Sequence, residues 1–236
     1  MTVIGAWCSR PDKADVSFAA HLGLRRLDIM VNDLSKARAP CRFPKLDGAY
    51  QSIVAHARSV GIVEVHFTSW IMPHVDFCDE AGDCLQQLAL DTGADGIVLD
   101  AEEPWTQAAE ANRPLAAERL KKSLKGCRVG VTGIGWASNK LSPLMEICDY
   151  AIPQLYATST SGLKPTELGG PEAHWRRQWG KPITPGLAAY RTTPQAMRSA
   201  FAEVQPCDTV IYWALRHIRS STSIANAIAT LAKEAA

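Results

Sequence analysis

The chain has 236 residues, 47% of them hydrophobic, and its 25 Lys and Arg nearly balance its 24 Asp and Glu, giving a formal net charge of +1. This length and apolar content allow a sizeable core and suit a folded α/β domain. The near-neutral charge argues against a surface that neutralises phosphates, so we expect no nucleic-acid partner.

Eight apolar runs recur along the chain, separated by segments with helical periodicity. The predicted strands lie at 3–8, 24–31, 62–70, 96–102, 128–134, 150–156, 182–189 and 209–215. The predicted helices lie near 12–22, 48–60, 79–92, 113–125, 141–148, 171–179, 193–204 and 221–234. Eight strand–helix units in this order predict a single (β/α)8 barrel, with residues 1–236 as one catalytic barrel domain.

The first predicted strand, in MTVIGAWCSRPDK, has no basic residue before its short apolar run, so we expect neither a secretory signal nor a membrane span. The expected site of synthesis is the cytoplasm, with action on the cell wall only after release. Seven scattered cysteines fit a reducing compartment better than a disulfide scaffold. The segment HVDFCDEAGDC, residues 74–84, has a Cys spacing that matches no common zinc pattern, and we expect no metal and no cofactor.

The fourth predicted strand leads into three carboxylates, in GIVLDAEEPW, residues 96–105. Strand alternation places Asp100 and Glu102 on one face and Glu103 on the other. Two acids on one face at the end of a buried strand are costly for folding, which favours a catalytic role. The alternative is a buried ion pair with an inward base such as Arg26.

The strand ends also carry aromatic and polar side chains, and barrel enzymes collect their reactive groups at these ends. Aromatic planes pack against the C–H faces of sugar rings, while amides and hydroxyls bond sugar hydroxyl and acetamido groups. The candidate sugar-binding residues are Trp7, Trp70, Trp105, Trp136, Gln154, Tyr156, Tyr190 and Trp213. They predict a polysaccharide as the partner. Glu64 and His66 lie lower on the third strand, and we interpret them as a hydrogen-bonded core network.

Residues 95–102, DGIVLDAE, resemble the fourth-strand signature D-G-x-D-x-D-x-E of the family 18 glycoside hydrolases, the chitinase-like barrels. The final Glu of that signature is the proton donor, so the resemblance implies this role for Glu102. The likeness extends to Gln154 and Tyr156 in PQLY, which match a sixth-strand element, and to Trp213 in IYWAL, which matches a Trp beneath the sugar site.

The resemblance also implies a mechanism in which the acetamido oxygen of the substrate attacks the anomeric carbon. Asp100 then orients the acetamido N–H and Tyr156 holds its carbonyl, while Gln154 and Trp213 line the sugar site. Val98 departs from the pattern, because the family places its first inward Asp there. The series of inward acids that tunes the second inward Asp of the signature, Asp100 in this chain, is therefore incomplete.

A second resemblance is to the family 25 lysozymes, peptidoglycan muramidases on a related compact barrel. They carry an Asp-x-Glu at the end of strand four, which Asp100 and Glu102 satisfy, and they require no acid at position 98. The length of these lysozymes is similar to that of this chain. However, they also have an Asp at the end of strand one. VIGAWCSR has no acid before Asp12.

Both resemblances imply a glycoside hydrolase that cleaves β-1,4 linkages next to N-acetylhexosamine in peptidoglycan or chitin-type glycans, with Glu102 as general acid. An enzyme without a signal peptide would reach peptidoglycan from a cytoplasmic pool, as a phage-type endolysin does. The alternative is a non-catalytic chitinase-like sugar-binding barrel, since Val98 breaks the acidic relay. A further alternative is a barrel enzyme of unrelated chemistry in which the acids bind a metal.

Overall fold

The computed structural model describes residues 1–9, 11–32, 48–134, 139–156 and 180–236. Within these ranges, eight parallel strands form a closed barrel in chain order. The strands are β1 (Val3–Ser9), β2 (Arg26–Met30), β3 (Glu64–Trp70), β4 (Gly96–Asp100), β5 (Val129–Ile134), β6 (Tyr150–Leu155), β7 (Gly186–Ala188) and β8 (Thr209–Trp213). The (β/α)8 fold predicted from the sequence is confirmed.

Helices connect the strands on the outside of the barrel. In the described part of the chain they are α1 (Lys13–His21), α2 (Ala49–Ser59), α3 (Val75–Thr92), α4 (Glu103–Gln107), α5 (Asn112–Ser123), α6 (Ser142–Ile147), α7 (Pro194–Glu203), α8 (Leu215–Arg219) and α9 (Thr222–Ala235). A 3₁₀ turn, Asn139–Leu141, precedes α6. None of these helices has the length and apolar composition that crossing a bilayer needs.

Some element boundaries differ from the sequence prediction. Helix α3 begins at Val75 rather than near residue 79, because His74 is an extended N-cap residue and Asp76 lies in the first turn. The short helices α4 and α8 were not predicted, since five residues are too few to show helical periodicity. The predicted helix at 171–179 lies outside the described residues.

Local capping explains two of the helix starts. Asp12 accepts a hydrogen bond from the Asp15 amide at 2.7 Å, and the Asp15 carboxylate accepts from the Asp12 amide, which forms a capping box for α1. The Thr193 hydroxyl accepts from the Ala196 amide at 3.2 Å, and Pro194 occupies the first helical position of α7. These local capping interactions determine where α1 and α7 begin, independently of packing in the barrel core.

Strand alternation produces two apolar layers. Outward side chains pack under the helices in one large cluster that includes Leu27, Phe67 and Leu99. Inward side chains fill the barrel with a smaller cluster, which comprises Trp7, Met30, Val98, Tyr150, Ile152, Ile211 and Ala214. The inner layer separates the lower end of the barrel from the rim where the strands end.

A polar network occupies the lower part of the barrel. Arg26 donates two hydrogen bonds to Asp28, at 2.8 and 2.9 Å, and one to Glu64 at 3.3 Å. Arg26 also donates to the Tyr150 hydroxyl at 3.1 Å, and that hydroxyl lies 2.8 Å from Nδ1 of His66. The interpretation of Glu64 and His66 as a core network is confirmed.

Candidate active site

The two acids of the fourth strand lie at the mouth of the barrel. Asp100 is the last residue of β4 and is only 2% exposed, whereas Glu102 follows it and is partly exposed. The Gln154 amide nitrogen on β6 lies 3.1 Å from a Glu102 oxygen and 3.4 Å from an Asp100 oxygen. The Thr132 hydroxyl on β5 is 3.5 Å from the same nitrogen. One amide group therefore joins both carboxyl groups.

The electrostatics of this pair favour retention of a proton. Burial raises the pKa of the Asp100 carboxyl well above its ordinary value, and the nearby charge of Glu102 raises it further. The Asp100 carboxyl can therefore hold a proton at a pH where an exposed carboxyl has lost it.

Arg26 does not neutralise the acid pair. Its guanidinium forms ion pairs with Asp28 and Glu64 at the lower end of the barrel. The alternative interpretation, a buried ion pair of Asp100 and Glu102 with Arg26, is therefore wrong. The physical reason is position along the barrel axis, because Arg26 begins β2 whereas Asp100 ends β4 and Glu102 follows it.

Aromatic rings line one side of the mouth. The Trp213 ring is partly exposed, with its centroid 6.5 Å from that of Tyr156 and 5.7 Å from that of Trp7. Trp7 is 1% exposed and belongs to the apolar layer inside the barrel, so it supports Trp213 from below and is interpreted as a packing residue rather than a sugar contact. The Tyr190 ring packs edge-on against Tyr156 at 6.0 Å. Together these rings form a wall next to the acids.

Tyr156 combines burial with a negative environment. Burial raises the pKa of its hydroxyl well above the ordinary value, and the charges of Asp100 and Glu102 raise it further. The hydroxyl therefore keeps its proton and remains a hydrogen-bond donor. A protonated tyrosine beside two acids suits the binding of an acetamido carbonyl.

Two of the predicted sugar-binding tryptophans lie in the apolar core. Trp70 and Trp105 have no exposed surface and belong to the cluster under the helices. The chain turns toward α3 after β3, so the Trp70 ring packs against Phe77. Trp105 lies on α4 and donates from Nε1 to the Lys140 carbonyl at 3.1 Å. Neither ring offers a surface to a substrate, so both are interpreted as packing residues.

Two other residues singled out from the sequence cannot be placed. Trp136 lies outside the described residues, and so does the side chain of Glu103. The predicted contact of Trp136 with a sugar therefore stays a prediction.

Sequence reasoning missed two residues that contact the site. Thr132 on β5 was not singled out, and its contact with Gln154 joins β5 to the site. His217 was not singled out, yet its ring lies 5.4 Å from that of Tyr190. Position could have identified Thr132, because it lies near the end of β5 and polar side chains at strand ends face the site. His217 lies within α8, and the strand-end rule does not select it.

The segment around Cys78 packs as part of α3. The Cys78 thiol is buried and donates to the Met72 carbonyl at 3.2 Å. Burial raises the pKa of this thiol to about 12, and a protonated thiol is a poor metal ligand. In the described ranges, no group of three or more His, Cys, Asp and Glu side chains is arranged to hold a metal ion.

Comparison with known proteins gives structural matches only. No family model and no curated protein matches the sequence. The structure is similar to a chitinase from Bacteroides thetaiotaomicron, with a TM-score of 0.71 and 11% identity over 97% of this chain and 96% of that chain. The chain shares its (β/α)8 barrel fold with this chitinase. The resemblance stated from residues 95–102 is thereby confirmed for the fold.

Similar structures include both enzymes and an inhibitor. The xylanase and alpha-amylase inhibitor protein XAIP-II from Scadoxus multiflorus has a TM-score of 0.69 and 13% identity, over 97% of this chain and 98% of that chain. The spore cortex-lytic enzyme SleL from Bacillus cereus has a TM-score of 0.68 and 11% identity, over 98% of this chain and 74% of that chain. Because the same fold occurs in enzymes and in an inhibitor, the function of this chain must be argued from its site.

Proposed function

We propose that the protein is a glycoside hydrolase that cleaves β-1,4 linkages next to N-acetylhexosamine in peptidoglycan or chitin-type glycans. We propose further that residues 1–236 act as one catalytic domain. The observation that carries the proposal is the acid pair at the end of β4, Asp100 and Glu102, joined by the Gln154 amide. The rings of Tyr156 and Trp213 lie beside this pair and suit a sugar.

Glu102 is the proposed general acid. The oxygen of a glycosidic bond is a poor leaving group unless it receives a proton. Glu102 is partly exposed at the mouth and can reach such an oxygen, whereas Asp100 is buried beside it. In this role Glu102 carries a proton, and the transfer of that proton to the leaving-group oxygen breaks the bond.

Asp100 and Tyr156 are proposed to act on the acetamido group. When Glu102 carries the proton to be donated, Asp100 is the anion that accepts a hydrogen bond from the acetamido N–H. Tyr156 donates to the acetamido carbonyl, whose oxygen then attacks the anomeric carbon. Gln154 holds both carboxyl groups during this step, and Trp213 supports the sugar ring.

The first prediction tests Glu102. Glu102→Gln keeps the size and hydrogen bonds of the side chain but cannot donate the proton, so turnover falls about 10²–10⁴-fold. Release of reducing ends from peptidoglycan strands and chitin oligomers measures this loss. Circular dichroism and the unfolding midpoint show whether the fold is retained.

Glu118→Gln on α5 is the matched control, because this exposed glutamate lies on an outer helix. We expect it to keep full turnover. Retention of more than half the activity in Glu102→Gln would end the assignment of the general acid. A wild-type protein that binds these glycans but releases no reducing ends would instead support the sugar-binding alternative.

The second prediction concerns the nucleophile. A thiazoline that mimics the cyclised acetamido intermediate inhibits much more strongly than N-acetylglucosamine, because the site fits the geometry of that intermediate. Competition kinetics with both compounds measure the difference. Absence of inhibition, together with normal cleavage of a de-N-acetylated oligomer, would favour direct action of Asp100 in the manner of the family 25 lysozymes.

A further inference from the structure

The ends of β7 and β8 lie side by side on the rim that carries the acids. Ala188 pairs with Trp213 in the register of these two parallel strands. The chain segments that follow β7 and β8 therefore start next to each other on the rim. Arg191 lies in the segment after β7, and Arg216 lies on α8 directly after β8. Both arginines are exposed.

Ring contacts connect this basic rim to the acid pair. The Tyr190 ring lies 5.4 Å from the His217 ring and 6.0 Å from the Tyr156 ring. Burial raises the pKa of the Tyr190 hydroxyl, the charge of Arg191 lowers it, and the charge of Glu102 raises it. The same hydroxyl therefore lies within the field of the arginine and of the acid.

The described sequence around the ends of β7 and β8 contains few acidic residues. Within 186–219 the sequence contains only Glu203 and Asp208 as acids, and they lie at the opposite end of the barrel, at the end of α7 and before β8. Arg216 donates a hydrogen bond from Nε to Nε2 of His217 at 3.4 Å. This ring nitrogen is a neutral acceptor. Among the described residues, no carboxylate pairs with Arg216.

Arg191 has an unusual backbone conformation. Its φ of 47° lies in the left-handed region, which residues with a β-carbon rarely adopt. In the described ranges it is the only residue other than glycine with a positive φ. Such conformations concentrate at ligand sites, where the surrounding structure maintains them. Here the strained residue carries a positive charge beside the proposed catalytic cleft.

We propose that Arg191 and Arg216 bind a carboxylate carried by the glycan, on the sugar unit next to the β7 and β8 side of the cleft. The inference rests on the proposed function and names its substrate. Guanidinium groups bind carboxylates through paired hydrogen bonds. The N-acetylmuramic acid unit of peptidoglycan carries a lactyl carboxylate, whereas the sugars of chitin are neutral. The preferred substrate is therefore a peptidoglycan-type strand.

The test measures binding of three tetrasaccharides by calorimetry, with Glu102→Gln as the non-hydrolysing background. The ligands are an N-acetylmuramic acid-containing glycan, the same glycan with its carboxylate reduced to an alcohol, and a chitin tetramer. We expect the carboxylated glycan to bind at least about tenfold more tightly than the other two. Adding Arg216→Gln or Arg191→Gln removes this preference and leaves affinity for the chitin tetramer unchanged.

Two further variants guard against indirect effects. Arg198→Gln removes the same charge from an exposed position on α7 and should keep the preference. Arg191→Lys keeps the charge at the strained position and should retain most of the preference for the carboxylated glycan. Equal binding of all three glycans, or equal losses in Arg198→Gln and Arg216→Gln, would overturn the inference while leaving the proposed function intact.

Two more binding results would count against these assignments. Binding of none of the three glycans would overturn the proposed function itself. Segments after the seventh and eighth strands of such barrels frequently hold phosphate. A chitin tetramer that carries a phosphate ester and binds more tightly than the carboxylated glycan would assign the rim to phosphate and overturn the inference.

Discussion

Val98 lies two residues before Asp100 on the inward face of β4, and its side chain is fully buried. It belongs to the apolar layer inside the barrel, together with Trp7, Ile152 and Ile211. The family 18 signature has an Asp at this position. In this chain the acid pair therefore lies on an apolar floor, and Asp100 has Glu102 as its acidic neighbour.

The third prediction is that Val98→Asp destabilises the protein by about 1–3 kcal/mol near neutral pH, because a carboxylate then replaces an apolar side chain in a dry layer. The loss becomes smaller at acidic pH, where the added carboxyl is neutral. Denaturant unfolding at about pH 7 and about pH 4 measures both values.

Val98→Thr is the matched variant, since it keeps the shape and replaces one methyl group by an uncharged hydroxyl. It should lose less stability than Val98→Asp near neutral pH. Thr68 pairs with Val98 in the register of β3 and β4, and its buried hydroxyl has no hydrogen-bond partner among the described residues. An unchanged unfolding midpoint in Val98→Asp would show that the layer accepts a charge, contrary to the apolar floor described here.

At the scale of elements, the polar network joins three strands at the lower end of the barrel. Arg26 from β2 contacts Glu64 from β3 and the Tyr150 hydroxyl from β6. The Tyr150 ring fits because residue 130 on β5 is glycine, and a Cβ there would lie 2.4 Å from the ring. Alternation in the sequence indicates that Glu64 faces inward, but it cannot identify this partner across the barrel.

The fourth prediction concerns the acid stability of this network. Contact with His66 and the charge of Arg26 lower the pKa of Glu64 from its ordinary value of 4.5 to about 2. A lowered pKa in the folded state stabilises the protein above the unfolded pKa, and this contribution disappears as the pH falls toward 2. Glu64→Gln is therefore less stable than the wild type near neutral pH, and the difference shrinks as the pH falls from 4.5 to 2.

Chemical denaturation across this pH range measures the difference in the free energy of unfolding. Glu110→Gln is the control, because Glu110 is an exposed glutamate after α4, and it should show a small difference at every pH. A difference between Glu64→Gln and the wild type that stays constant with pH would contradict the assigned role of the Glu64 charge.

At the scale of the molecule, barrel closure assembles the candidate site. Asp100 and Gln154 are 54 residues apart in sequence, and their contact exists because β4, β5 and β6 are neighbours in the closed sheet. Trp213 at the end of β8 reaches Tyr156 after β6 across the short strand β7. The grouping of the two acids with Gln154, Tyr156 and Trp213 is therefore a property of the whole barrel.

The sequence by itself determined the order of strands and helices, the fold class, and the shared face of Asp100 and Glu102. These features follow from hydrophobic periodicity and from the alternation of side chains along one strand, which are local properties of the chain. The motif at residues 95–102 added the resemblance to chitinase-like barrels.

Only the tertiary structure decided which side chains meet. It paired Arg26 with Asp28 and Glu64, buried Trp70 and Trp105 under the helices, and placed Gln154 between the two acids. Such contacts depend on which strands are neighbours and on how the chain turns after each strand. Those relations arise between residues far apart in sequence, so local periodicity carries no information about them.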